Sequence, residues 1–275
     1  MLENGRPACD RGEVIDLGGL LADLRAEGDQ LDSWVADLGA DQWRAPTPAA
    51  GWSVAHQVAH LAWTDERALL SATDPDGFIA ETTQALAGGD PQQFVDKGAA
   101  DGAQLPPDEL LARWRELRVG LAGALAGVPA GAKLLWYGPP MSPASMATAR
   151  IMETWAHAGD VADALGIKRE PTERIRHVAH LGVRTRDFAY LVRAKAVPTE
   201  QFRVELVGPG GGVWVWGPED AAQRVSGSAW DFCRLVTQRV HRDDTDLVAV
   251  GADADEWLGI AQAFAGPPGE GRAKA

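Results

Sequence analysis

ARIMETWAHAGDVADALG, residues 149–166, has the spacing of a helix that carries a chemical stripe. Ile151, Met152, Trp155 and Val161 give it apolar flanks, while Glu153 and His157 stand one turn apart on a shared face. Upstream, Ser142 reads as a cap and Pro143 suits the first turn. Downstream, Gly166 reads as the stop, so the spacing predicts a helix from 143 to Leu165. A carboxylate and an imidazole at i, i+4 can ligate one cation, as inward-facing Glu and His do in helical bundles. The same pair can also be a buried Glu–His hydrogen bond without a metal. Asp160 continues the stripe, either as the acceptor of a ligand imidazole's N–H or as a solvent-facing acid near the helix end. Arg150, one turn before Glu153, either binds a substrate carboxylate or pairs with a surface acid.

A second chemical segment is GWSVAHQVAHLAWTDE, residues 51–66. Ser53 caps a helix expected to run to about residue 72, and His56 and His60 lie four apart on it. This HxxxH is either half of a zinc site or a capped amphipathic helix with one core and one exposed histidine. The absence of HExxH excludes the zincin arrangement. His177, His180 and His241 read as members of solvated, arginine-rich faces.

Outward from these segments the helical period persists. Leucines and tryptophans recur with it over residues 13–38 and 107–127, and a further helix is expected over about 173–195. Residues 73–106 break into short helical pieces, with GAADGAQLPP (98–107) reading as a loop. The period changes at residue 202. FRVELVG and GVWVWG, separated by PGG, predict a β-hairpin. A helix at about 228–240, a strand at 245–250 and a helix at 254–265 are expected to follow. The chain therefore reads as mostly α, with a helical bundle over 13–197, a small α+β domain over 198–267 and a disordered tail over 268–275.

The chain has 275 residues, enough for a substantial core. Its net charge of −13 repels phosphate backbones and anionic lipid, which argues against nucleic-acid and membrane partners. Cys9 and Cys233 form no CxxC, and two distant cysteines make no disulfide scaffold, so a reduced cytoplasmic setting is expected. The N-terminal stretch has no basic and apolar regions of a secretory leader, and no apolar run is long enough to span a bilayer.

Taken together, GWS-V-x-x-x-V-A-H-L and, about ninety residues later, E-x-W-x-H-x-x-D-V-x-x-A-L-G resemble the DinB-like superfamily. Within it they are similar to the mycothiol-dependent maleylpyruvate isomerase family of actinobacteria. WYGPPMSPASMATARIMETWAHAGDVADALG further resembles a metal-binding actinobacterial branch. The resemblance covers residues 13–195 well and the C-terminal part more loosely. It implies a DinB-like four-helix bundle holding a divalent metal, usually zinc, on His60, Glu153 and His157, with His56 outside the ligand set.

Two neutral imidazoles and one carboxylate leave such an ion at net charge of about +1 with an open position, as in catalytic zinc sites. The resemblance implies mycothiol or another low-molecular-weight thiol as cofactor, bound as thiolate. In an isomerase it adds to an activated double bond of a small-molecule substrate and, after rotation, is eliminated. In an S-transferase it stays attached. Two other readings share the site: a hydrolase or cyclase without a thiol, and a non-catalytic metal-binding stress protein. A monomer or a homodimer suits any of them.

Overall fold

Ser142 accepts a hydrogen bond from the Ser145 N–H at 3.1 Å, and Pro143 fills the first turn that follows. At the other end Gly166 takes a left-handed conformation, φ 67°, which only glycine adopts without strain. Between these signals lies the longest helix, Pro143–Leu165, with Ile151, Met152, Trp155 and Val161 all buried, as their spacing requires. The computed structural model describes residues 16–87, 91–269 and 271–275. Cys9 and the start of the bundle expected at residue 13 lie outside the described residues.

The helices in chain order are α1 (Leu17–Val35), α2 (Ala40–Trp43), α3 (Val54–Thr73), α4 (Pro75–Ala87), α5 (Pro91–Gly102), α6 (Pro107–Gly127), α7 (Pro143–Leu165), α8 (Ile175–Arg184) and α9 (Arg186–Leu191). α1, α3, α6 and α7 form a four-helix bundle in which α3 lies against α6 and α7, and α1 against the same two. Leu31, Leu61, Leu110, Trp114 and Val161 fill one core of the bundle; Leu20, Leu121, Met146 and Ile151 fill another. Truncating a wholly buried leucine here to alanine costs about 2–5 kcal/mol.

The C-terminal part contains β1 (Phe202–Val207), β2 (Val213–Trp216), β3 (Gln223–Ser228), α10 (Ala229–Val236), β4 (Val248–Val250) and α11 (Ala252–Ile260). The sheet order is β2-β1-β3-β4. β1 and β2 form the expected antiparallel hairpin, with Val207 opposite Val213, whereas β1 and β3 run parallel. The inner face of the sheet, α10 and α11 share a core with Met152, Trp155 and Ala156 of α7 and with Ile175 and Val178 of α8. The chain is thus mostly α with a small C-terminal α+β region, and that region is seated on the helix that carries Glu153 and His157.

Several expectations need correction. GAADG is not a loop but the end of α5. The helix expected over 173–195 breaks at Thr185 into α8 and α9. Strand β3 was not foreseen, and α2 was not either. The tail, expected to be without structure, makes specific contacts: Arg272 reaches the buried Asp160 at 2.6 Å and Lys274 reaches Asp243 at 3.0 Å. No helix among the described residues is long and apolar enough to cross a membrane.

Candidate metal centre

Three side chains able to ligate a metal converge where α3 meets α7. His60 Nε2 lies 3.5 Å from Glu153 Oε2, and His157 Nε2 lies 3.2 Å from the same oxygen. One ligand atom from each of the three lies within 4.8 Å of the others. A tetrahedral ion with bonds of roughly 2.0–2.1 Å keeps its ligand atoms roughly 3.3–3.4 Å apart. The two separations from Glu153 match that geometry, and the donor set of two imidazoles and one carboxylate suits zinc-like divalent ions. The residues therefore fit a metal.

Local folding explains how the three meet. Glu153 and His157 are presented by successive turns of α7. His60 faces them from α3, whose first turn is fixed by Ser53 and His56. There His56 Nδ1 accepts from the Ser53 N–H at 3.3 Å and lies 2.8 Å from the Ser53 hydroxyl. His56 is thereby engaged in capping, apart from the three-residue cluster. Trp52, just before the cap, walls the site: its ring centroid is 5.3 Å from that of His60 and 5.9 Å from that of His157, nearly parallel to the latter.

The electrostatics favour unprotonated Glu153 and His157. Burial raises the Glu153 carboxyl, yet the two imidazoles facing it hold it well below the usual carboxylate range. Burial presses the His157 imidazole down to about 4, the neighbouring His60 and Arg239 add to this, and Glu153 opposes it. At neutral pH the site thus offers a carboxylate and a neutral His157, the forms that ligate metals.

Asp160 and Arg150 stand elsewhere than expected. Asp160 is buried but accepts no ligand imidazole: it binds Arg239 at 2.8 Å and Arg272 at 2.6 Å, both from the C-terminal part. Lying three residues past His157, it is turned about 60° round the helix axis, toward the sheet side. The His157 Nδ1 is instead held by Gln57 Oε1 at 2.5 Å. Arg150 pairs with no surface acid. Its Nε donates to Asp65 Oδ1 at 2.9 Å inside the bundle, and with its side chain 2% exposed it is closed to a diffusing substrate. His180 accepts from the Trp216 indole N–H at 3.3 Å, joining α8 to β2, and His177 pairs with Asp23 at 2.7 Å, joining α8 to α1.

Sequence reasoning missed Trp52, Gln57 and Arg239 as neighbours of the site. For Trp52 a signal existed, an aromatic two turns before His60 at the helix entry.

A four-helix bundle that gathers two histidines and a glutamate from facing helices around one point has the arrangement with which helical bundles can hold a metal. More particularly, the chain belongs to the family described as mycothiol maleylpyruvate isomerase N-terminal domain, whose model matches residues 24–162. A second family model, described as wyosine base formation, matches residues 198–250, the segment of the sheet and α10. An uncharacterized protein of Mycobacterium tuberculosis, present in strains CDC 1551 / Oshkosh and H37Rv, is 59% identical over 259 residues, which are 94% of this chain and 100% of the relative. The crystal structure of the mycothiol-dependent maleylpyruvate isomerase has the same fold, with a TM-score of 0.57 and 17% identity over 86% of this chain and 93% of that one. A mutant of that enzyme matches equally, at 16% identity and the same TM-score of 0.57.

Proposed function

We propose that this chain is a metal-dependent enzyme of the mycothiol-dependent maleylpyruvate isomerase type, working with a small thiol on a small electrophilic substrate by isomerisation or S-transfer. The observation that carries this reading is the set of ligand separations at His60, Glu153 and His157. A divalent ion bound there lowers the pKa of a thiol at its open position, so that a nucleophile is available at neutral pH.

The chain's own residues supply the rest. Glu153 and the two imidazoles neutralise only one of two positive charges, which leaves the site attractive to an anion. Arg239 adds a positive charge beside His157. Buried Asp160 holds Arg239 in place from α7, so the C-terminal part is pinned next to the site rather than merely covering it. Trp52 packs against both imidazoles and keeps bulk water from one side. A free thiol cofactor needs a reducing compartment, and we place the protein in the cytoplasm on that ground.

The test is turnover of maleylpyruvate by the zinc-loaded protein, followed by chromatographic separation of the substrate from its geometric isomer and from any thiol adduct. The reading predicts turnover only with mycothiol present and none after chelation. Turnover of this or another electrophile that is indifferent to thiol would favour a thiol-free hydrolase or cyclase instead.

A further inference from the structure

Gln57 is wholly buried, on α3 three residues before His60, where an uncharged apolar residue would pack at less desolvation cost. Its amide is spent in a directed chain of hydrogen bonds. The Trp52 carbonyl accepts from the Thr47 hydroxyl at 2.9 Å, which uses the only proton that hydroxyl has. Thr47 Oγ1 is then left as the acceptor for Gln57 Nε2, also at 2.9 Å. With its nitrogen turned to Thr47, Gln57 shows its Oε1 to His157 Nδ1 at 2.5 Å. An amide oxygen only accepts, so Nδ1 must carry the hydrogen. An imidazole that ligates a metal is neutral and has one proton to place, so with the hydrogen on Nδ1 the ligating lone pair is on Nε2, the ring nitrogen 3.2 Å from Glu153 Oε2.

We propose that Gln57, oriented by Thr47, is a positioning residue that fixes the tautomer of His157 and so presents its Nε2 lone pair to the metal. The inference rests on the metal reading of the His60–Glu153–His157 cluster. It assigns a task to the turn before α3: residues 47–52 supply both Thr47, which sets the amide, and Trp52, which stacks on the imidazole that the amide holds. A hydrogen-bonded group behind a ligand imidazole typically governs about 10–100-fold in metal affinity.

The experiment measures zinc affinity by competition with a chromogenic chelator in the full chain and in Gln57→Leu and Gln57→Glu. It is paired with nitrogen-15 histidine spectra of the zinc-loaded wild type. Gln57→Leu should bind zinc about 10–100-fold more weakly. Gln57→Glu, which keeps an acceptor against Nδ1, should restore affinity to within a few-fold of wild type. A merely structural role predicts equal losses in both variants, and that result, or wild-type affinity in Gln57→Leu, overturns the proposal. If Gln57→Leu does not fold, the wild-type spectrum decides alone. A His157 Nδ1–H signal protected from solvent exchange supports the proposal, and one that exchanges freely overturns it. Absence of zinc binding by the wild type would instead sink the metal reading itself.

Discussion

The wild type should carry close to one divalent ion per chain, and Glu153→Ala should leave the purified protein essentially without metal. Glu153 Oε2 is the atom common to both short separations in the cluster, so removing it deletes a ligand and the only formal negative charge among the three. Two imidazoles alone then face a doubly charged ion. The loss should exceed the roughly 100-fold at the upper end of what an outer-shell change costs. His60→Ala should behave likewise, because it removes the one ligand that α3 contributes. Elemental analysis of dialysed protein measures both, and full metal content in either variant would refute the three-ligand assignment.

The second large effect is on stability. Asp65→Ala should destabilise the fold by about 3–5 kcal/mol, because it strands the Arg150 guanidinium in the bundle interior without a counter-charge. Both side chains of this pair are nearly inaccessible, at 2% and 6% exposure. Burial pushes the Asp65 carboxyl up, and Arg150 draws it back down, which is the signature of a carboxylate that depends on its partner. Replacing both members together, Arg150→Met with Asp65→Leu, should recover most of the loss, since desolvation of both charges disappears with them. Urea midpoints at constant slope measure this. A single substitution that costs under about 1 kcal/mol, the scale of an exposed pair, would show that the charges are solvated after all.

The bundle was legible because its signals are local. Ser142, Pro143 and Gly166 bracket α7 in the sequence, and the 3.6-residue period shows which face is buried. The pairing of Glu153 with His157 was equally legible, since both side chains lie on one helix a turn apart. Beyond such ranges the sequence is silent. The α5 stretch GAADG looks like a loop because glycine is a poor helix former. In the fold, a Cβ on Gly98 would come within 2.5 Å of the Trp63 indole, so the small residue serves close packing of α5 on α3. β3, QRVSGS, has one buried apolar residue, Val225, and is a strand only because β1 and β4 flank it. Gln57 carries no periodic signal for its role, since its partner His157 is one hundred residues away. Asp160 was readable as a stripe residue, but its arginines come from residues 239 and 272, which no spacing rule connects to it.

The central claim, that these three ligands present a metal with an open position to a small thiol, is tested most directly by replacing the metal with cobalt and titrating in mycothiol. Sulfur–cobalt bonds give an intense near-ultraviolet charge-transfer band, and thiolates suit soft or borderline ions of this kind. The account predicts that the band rises to saturation with added mycothiol and is suppressed in His157→Ala. A cobalt spectrum unchanged at saturating mycothiol would contradict it.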